Sequence, residues 1–363
     1  MTRTRLFEVA IVLVAVACAL MPLPAPLVER LYSTSIYPSV QRVLTPISNL
    51  LPFAVLDVLI VIALVLTVVA IARAARTARR TRRLLPIGAV VGHLITAASV
   101  LYLAFLLLWG FNYQRVRMQD RVATRVVAPT RQAVMDLGLD SVRRLNDLYD
   151  EAHRTGWSTP EWQDVPLRGA FQQVLQRLSD APPAEPGRVK WTMLGPYLRW
   201  SSVDGLVDPF ALEVLANPDL LPWERPFVAA HEWSHLAGYA YESEANFVGW
   251  MTCLRAGVPA QYSGWLFLYW EINGQVGADD RGRLAKALHD GPRRDVNAIV
   301  ERLRRGQLPV LQHASWAVYD GYLRANHVES GIRSYDEVVT LILRARFEDG
   351  WLPVRKTSST SAR

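Results

Sequence analysis

The sequence of 363 residues is poor in charge and in cysteine. Charged residues make up 20% of it, below the roughly 25% of a typical soluble domain, and hydrophobic residues make up 51%. This composition excludes an intrinsically disordered chain. The two cysteines, Cys18 and Cys253, are too few for a disulfide framework, and Cys18 lies within an apolar run. A small secreted disulfide scaffold is therefore excluded as well.

Acidic residues are scarce in the first third of the chain, and this scarcity accounts for the whole net charge of +7. Residues 1–110 carry ten arginines and only three acidic residues, whereas residues 111–363 carry 30 basic and 30 acidic residues. The excess positive charge thus lies among apolar runs and not on a surface that could bind phosphates. We therefore expect a lipid bilayer as a partner, and no nucleic acid.

Three stretches of residues 1–110 lack charged side chains for long enough to cross a bilayer, which takes about 20 mostly apolar residues. They predict an α-helical membrane region with spans near 7–25, 52–72 and 87–109. Asp57 and His93 lie in or beside these spans, and we interpret both as structural. The first run also fits a cleaved signal peptide, with a weak cleavage site at Ala15-Val16-Ala17.

The arginines predict the orientation of these spans. Residues 73–83 contain six arginines and two more precede the first span, whereas the loop predicted at 26–50 contains two arginines and one glutamate. Cytoplasmic loops are enriched in Lys and Arg, so the N-terminus and residues 73–83 are expected in the cytoplasm. Residues 111–363 are then expected outside it, whether or not the first run is cleaved.

Residues 111–350 predict a mainly helical α+β domain, with a helical part at 111–185, a central core at 186–256 and a second helical part at 257–350. Residues 351–363, which end in a small polar run, predict a disordered tail. Hydrophobic periodicity and proline or glycine breaks predict helices at 131–154, 167–179, 226–238, 242–256, 259–274, 292–305, 309–326 and 334–346, and strands at 189–194, 198–202 and 205–207.

The segment His231-Glu232-Trp233-Ser234-His235 carries the chemistry. Residues four apart share a helix face, so both imidazoles can reach one metal ion, for which Zn²⁺ is the expected cofactor. Glu232 lies one step around the helix, where it can accept a proton from water that attacks a carbonyl group. We therefore expect His231 and His235 to be metal ligands and Glu232 to be the catalytic base.

A catalytic zinc site needs a third protein ligand, and the sequence offers two carboxylates for it. Gly238 ends the helix, and the run Tyr241-Glu242-Ser243-Glu244-Ala245-Asn246 follows. Glu242 is favoured because Asn246 lies four residues later on the same face, where it could hydrogen-bond the outer nitrogen of a ligand histidine. Glu244 would point roughly 200° away on an ideal helix and remains the alternative.

These motifs resemble the zincin metallopeptidases, and Glu242 to Asn246 is similar to the Glu-x-x-Ala-Asp of membrane-bound gluzincins, with Asn246 in place of the aspartate. The whole chain more closely resembles an uncharacterised bacterial family of unknown function, which combines three spans with an outer domain carrying HExxH and Glu-x-Glu-Ala-Asn. Further matches are Trp109-Gly110-Phe111-Asn112-Tyr113, Asp208-Pro209-Phe210, Tyr319-Asp320-Gly321-Tyr322-Leu323 and Ser334-Tyr335. The resemblance implies a zincin-like extracytoplasmic domain, a bacterial inner-membrane location and a peptide or protein substrate.

The sequence therefore predicts a membrane-anchored zinc-dependent peptidase or related amide hydrolase. A non-catalytic zinc-binding receptor or assembly factor is the alternative, and a transporter is a weaker one because three spans with one acid and one histidine make a poor ion path. The strand at 203–208 is expected to bind an extended peptide along its edge. The candidate donors for an oxyanion are Tyr239, Tyr241, Tyr319, Tyr322, His327 and Arg333.

Overall fold

The computed structural model describes residues 3–82, 85–126, 128–157, 164–326, 337–348 and 351–356. Within these ranges the chain is mostly helical with a few short strands. The helices up to residue 121 are α1 (Arg3–Leu20), α2 (Ala25–Val28), α3 (Tyr37–Asn49), α4 (Val55–Thr81), α5 (Leu85–Leu108) and α6 (Met118–Arg121), with a π-helix at Glu29–Ile36 and a 3₁₀ helix at Gly110–Gln114.

Two helices are long and apolar enough to cross a membrane, and their apolar windows are almost wholly exposed. They are Val55–Thr81 and Gly88–Leu108, and α5 packs against both α1 and α4. The pair Arg5–Leu20 and Ala25–Asn49 passes the same criteria only jointly, as one span broken by a bend of 114°. The chain therefore has the helices of a membrane protein with two or three crossings.

The prediction of a loop at 26–50 is wrong, because helix continues from Ala25 to Asn49 through the π-helix. This stretch packs against the large domain. The Tyr37 hydroxyl donates to the Leu236 carbonyl at 2.7 Å, and the Thr45 hydroxyl donates to the Leu212 carbonyl at 2.8 Å. Polar side chains such as Gln41 and Thr45 are buried in this helix, whereas Val43 and Ile47 are exposed, so it meets the domain largely through polar groups.

The large domain is built from ten further described helices around one core. These are α7 (Arg131–Thr155), α8 (Val165–Leu178), α9 (Gly195–Ser201), α10 (Arg225–Leu236), α11 (Glu242–Leu254), α12 (Val258–Gln275), α13 (Ala278–Ala287), α14 (Asp290–Gly306), α15 (Pro309–Ala325) and α16 (Glu337–Arg344). Helix α11 lies in the centre, in contact with α8, α10, α12 and α16. Its Phe247 and Trp250, with Trp233 of α10 and Tyr262 of α12, are fully buried aromatic side chains. This packing fixes α10 and α11 relative to each other.

A three-stranded sheet covers one side of α10. Strands β1 (Val189–Lys190), β2 (Gly205–Asp208) and β3 (Glu213–Ala216) are ordered β1-β3-β2, with β1 parallel and β2 antiparallel to the central β3. Strand β2 is therefore an edge strand, and it contacts α10. The strand predicted at 205–207 is confirmed, and the one predicted at 189–194 is shorter than expected.

Two further predictions need correction. Residues 198–202 lie in helix α9 and its cap rather than in a strand, because Gly195-Pro196 begins a helical turn. Residues 351–356 are not a disordered tail: β5 (Leu352–Pro353) pairs with β4 (Phe347–Glu348), and Trp351 packs on Trp250. The remainder of the predicted tail, 357–363, lies outside the described residues, as do residues 334–336 of the predicted last helix.

Candidate metal centre

Helix α10 presents two imidazoles to one point. His231 and His235 lie one turn apart, and their Nε2 atoms are separated by 3.1 Å. Pro226 occupies the first turn of α10, and the Ser263 hydroxyl accepts the Phe227 backbone N–H. These two features stabilise the N-terminal end of the helix, one turn before His231. It ends as the sequence predicts, with Gly238 at φ +81°. The fold thus holds both histidines on one helix whose two ends are fixed.

Glu242 completes a three-sided cluster. Its Oε2 lies 3.4 Å from His231 Nε2 and 3.6 Å from His235 Nε2. Ligand atoms at 2.0–2.2 Å from a tetrahedral zinc ion stand about 3.3–3.5 Å apart, so the triangle has the required size. The same Oε2 is buried and has no hydrogen-bond partner. The donor set and this unpaired oxygen fit a metal ion.

The structure separates the two candidate third ligands. Glu242 is the first residue of α11 and faces α10, whereas Glu244 points away from the cluster. The Oε1 atom of Glu244 accepts the Met118 backbone N–H at 2.8 Å and lies 3.2 Å from Arg117 Nε. Glu244 is thus engaged in fixing the start of α6, and only Glu242 is in position to join the histidines.

Charge within the cluster shifts the pKa values of two of its members. Burial alone would raise the pKa of Glu242, but the adjacent His235 and His231 hold it well below its usual value. Burial alone would lower the pKa of His235, but the Glu242 carboxylate outweighs burial and raises it to about 9. Without a metal ion, positive charge on His235 therefore balances the buried carboxylate.

Glu232 lies beside this cluster and is as deeply buried. Burial raises the pKa of Glu232, and its Oε2 has no hydrogen-bond partner. Gly205 of β2 packs directly on it: a Cβ at that position would stand 2.5 Å from Glu232 Oε1. A carboxyl group with a raised pKa, next to a candidate metal centre, is suited to accept and return a proton.

The ring of His235 is oriented by a backbone group, and neither histidine ring is oriented by Asn246. His235 Nδ1 hydrogen-bonds the Tyr239 carbonyl at 2.8 Å, and the Trp109 indole donates to the His235 carbonyl at 2.9 Å. His231 Nδ1 is buried without a partner. Asn246 lies beside His231 in a cavity wall but hydrogen-bonds neither Nδ1 atom. The hydrogen bond expected from Asn246 is therefore not formed.

The candidate oxyanion donors occupy different places. Tyr319 donates to Glu242 Oε1, and Tyr322 lies beside it with stacked rings. Tyr239 and Tyr241 are buried elsewhere, the latter donating to the Tyr113 carbonyl at 3.1 Å. His327 and Arg333 lie outside the described residues. Of the described candidates, Tyr319 and Tyr322 alone line a cavity that contains the cluster.

Two cavities meet at His231 and Glu232. One, of about 340 Å³, also contains His235 and Glu242 and reaches Trp109 at the end of α5. The other, of about 260 Å³, is walled mainly by aromatic and aliphatic side chains, including Trp223, Phe267, Trp270, Trp316 and Leu266. Gly205 of the edge strand β2 lines both. The two cavities thus adjoin at His231 and Glu232, beside the edge strand β2.

Two glycines and a tryptophan shape this site, although the sequence did not indicate a role in the site for any of them. A Cβ on Gly249 would stand 3.0 Å from the His231 backbone nitrogen, so this glycine lets α11 approach α10 closely. Gly205 leaves room for Glu232, and Trp109 connects the end of α5 to His235. The sequence signal for Trp109 was its place in the run that closes the last span; the two glycines carried none.

The fold and the site together define a class: a mostly helical protein with helices able to span a membrane and a buried cluster of two histidines and a glutamate. The chain belongs to the family described as "Protein of unknown function (DUF3810)", which matches residues 32–343. No curated protein and no solved structure matches it significantly. The match confirms the expected membership of an uncharacterised family and leaves the chemistry to be argued from the site.

Proposed function

We propose that this protein is a membrane-anchored zinc-dependent peptidase or related amide hydrolase that acts outside the cytoplasm, with a zincin-like domain. The observation that carries the proposal is the triangle of His231, His235 and Glu242, with Glu232 next to it. A purely structural zinc site has four protein ligands, whereas three ligands leave an open position for a reaction. The open cleft on both sides of the triangle provides access to it.

Each residue has a distinct part in the proposed reaction. When bound, zinc supplies a Lewis acid that lowers the pKa of water and polarises a carbonyl group. Glu232 accepts the proton of the attacking water and returns it to the leaving amine. Tyr322, or Tyr319 after it releases Glu242, donates a hydrogen bond to the oxygen that becomes negatively charged. The edge of β2 holds an extended substrate by backbone hydrogen bonds.

The expected orientation rests on the two ends of α4. Its first turn contacts the large domain: Asp57 accepts the Thr192 hydroxyl at 2.6 Å and the Met193 N–H at 2.8 Å. Its last turn carries Arg79 and Arg80, and a helix of 27 residues is about 40 Å long. The arginines thus lie at the far end of this helix from the large domain. Because arginine-rich ends face the cytoplasm, this supports an extracytoplasmic site.

Three variants of the full chain test the proposal. We expect Glu232→Gln to bind zinc stoichiometrically and to lose hydrolysis by at least about 100-fold, as expected when a general base is removed. His231→Ala should lose both zinc and activity. Glu301→Gln, an exposed residue of α14, is the matched control and should change neither. The measurements are metal content after dialysis and cleavage of a peptide library.

Two outcomes would contradict the proposal. Undiminished turnover by Glu232→Gln of a substrate that the wild type cleaves would exclude the mechanism. Stoichiometric zinc in the wild type, with no cleavage of any substrate class, would instead favour the non-catalytic receptor or assembly factor.

A further inference from the structure

The candidate active site lies directly beside the ends of the membrane helices. Trp109, the first residue after α5, donates to the carbonyl of the ligand His235. At the other membrane helix, Asp57 in the first turn of α4 binds Thr192 and Met193 through two hydrogen bonds. These contacts place His235, and the segment that leads into the cavity-lining helix α9, next to the ends of the candidate spans.

The segment held by Asp57 exposes large apolar side chains. Residues 191–200 form a turn followed by α9, and in it Trp191, Met193, Tyr197 and Trp200 are 45%, 55%, 43% and 39% exposed. Soluble surfaces rarely group such side chains, whereas tryptophan and tyrosine are enriched where a membrane protein meets the lipid headgroups. The segment is thus suited to lipid contact, and Asp57 holds it at the end of the candidate span α4.

Helix α15 exposes a second apolar surface at the same level. Val310 and Val318 are 82% and 74% exposed. The C-terminal half of the helix meets a span, because the Tyr322 ring lies 6.1 Å from the Phe105 ring of α5. Its N-terminal end meets α9, where the Leu308 N–H donates to the Trp200 carbonyl at 3.1 Å. An exposed apolar surface on a helix that contacts both a candidate span and α9 is typical of a helix that meets lipid.

Helices α9 and α15 are also two walls of the 340 Å³ cavity. Tyr197 and Leu198 of α9 face Trp316, Tyr319 and Tyr322 of α15 across it, with the metal cluster between them. The two elements that expose apolar side chains therefore border the entrance to the metal centre.

We propose that residues 191–200 and α15 lie in the lipid–water interface, and that the cleft between them opens onto the membrane surface. The second half of the inference rests on the proposed function: the substrate is a polypeptide that is itself anchored in the bilayer, cleaved close to its anchor. An extended chain spans about 3.3–3.6 Å per residue. Ten residues beyond an anchor therefore reach about 33–36 Å from the bilayer, and we expect cleavage within that distance.

Site-specific fluorescent labels test the position of the cleft. The full chain with Cys18→Ser carries one new cysteine, at Met193, Val318 or the exposed Ala285 of α13, a helix whose main contacts are with α7 and not with a candidate span. Buried Cys253 is not expected to react. In nanodiscs of phosphatidylcholine and phosphatidylglycerol with spin-labelled lipids, we expect quenching at 193 and 318 about twofold or more stronger than at 285. Equal quenching at all three positions would overturn the inference.

The substrate class is tested by comparing protein N-termini in cells that carry the wild type or Glu232→Gln. Cleavage sites specific to the wild type should lie within about ten residues of a membrane span or lipid anchor. Sites mainly in soluble proteins would overturn the proposed substrate class. A complete lack of specific sites would contradict the hydrolase itself, and the label measurements would still decide where the cleft opens.

Discussion

Gly205 shows how closely one residue of the sheet is fitted to the proposed base. A Cβ there would overlap Glu232 Oε1, and β2 is paired along its length with β3, which holds the strand in place. The Glu232 carboxylate must therefore shift toward the cavities that it lines, and a displacement of about 1 Å at a catalytic group can cost roughly 100-fold in rate.

We therefore expect Gly205→Ala to retain zinc and to lose about 10- to 100-fold in kcat. The measurements are peptide hydrolysis and metal content. Gly274→Ala is the matched control, because a Cβ at this position of α12 meets no atom within 4 Å, and alanine there should keep full activity. Unchanged turnover in Gly205→Ala would show that Glu232 is not held by this contact.

His235 makes zinc binding depend on pH. Because the Glu242 carboxylate raises the pKa of His235 to about 9, the metal-free chain carries a proton on this ligand at neutral pH, and zinc must displace it. The apparent affinity should therefore rise about tenfold per pH unit up to about pH 9. Competition with a chromogenic chelator at pH 6.5, 7.5 and 8.5 measures this slope. The variant Glu242→Gln should bind zinc more weakly with a shallower slope, and a flat wild-type profile would contradict the assignment.

At the level of single residues, the spacing of the histidines was enough to predict their convergence. The choice of Glu242 over Glu244 followed from helix geometry, and the structure places Glu242 at the cluster. The role given to Asn246 did not follow, because the hydrogen bond to His235 comes from the Tyr239 carbonyl in the turn after Gly238. Every residue has a backbone carbonyl, so the residue type at position 239 could not indicate this hydrogen bond in the sequence.

At the level of elements, the segment 25–49 shows why the sequence was misleading. It contains Pro26, Pro38 and Pro46, which favour breaks in a helix, and its contacts with the domain are largely polar. Its partners lie about 140–200 positions away in the chain, as with Tyr37 and Leu236. Long-range hydrogen bonds of this kind decide the structure only after the domain has formed.

A buried ion pair joins this helix to the sheet. Lys190 of β1 donates to Glu213 of β3 at 2.7 Å and to the Ser48 carbonyl at 2.7 Å, and Glu213 also accepts the Leu56 N–H at the start of α4. Both side chains of the pair are almost inaccessible to solvent. Removal of one partner would leave a buried charge without compensation.

Lys190→Met should therefore lower the free energy of unfolding by about 3–5 kcal/mol. Arg305→Met, which breaks an exposed pair with Glu301, is the control and should change it by less than about 0.5 kcal/mol. Chemical denaturation in detergent, followed by tryptophan fluorescence, measures both. A double variant with Glu213→Gln should recover part of the loss, and a single variant as stable as the wild type would contradict the coupling of helix and sheet.

At the level of the whole molecule, the metal ion should contribute to stability as well as to chemistry. The cluster is formed by the meeting of α10 and α11 at the centre of the domain, so zinc binds the folded state in preference to the unfolded chain. At 100 times its Kd, a ligand of this kind stabilises a protein by about 2.7 kcal/mol. Thermal unfolding should shift upward with zinc and downward with EDTA. His231→Ala should not respond to either, and an equal response in both proteins would point to a different site.

The sequence predicted that the molecule has a membrane region and a large domain, but it predicted the C-terminal boundary of that domain less well. Runs without charge indicated the membrane helices, because side chains that face lipid must be apolar along the whole span. The end of the chain was misread because Trp351 is anchored by a cluster of distant aromatic rings rather than by local pattern. Elements stabilised by a few contacts with remote residues carry little signal in their own segment.

The hydrogen bond from Trp109 to the His235 carbonyl leaves no flexible linker between a transmembrane helix and a proposed ligand. A thinner or thicker hydrocarbon layer changes the tilt of such a helix. A change of tilt would then move Trp109 and, through this hydrogen bond, the His235 imidazole. The rate of catalysis should therefore depend on the acyl-chain length of the lipids. Turnover should differ between short-chain and long-chain lipids, and Trp109→Phe, which lacks the indole N–H, should weaken that dependence.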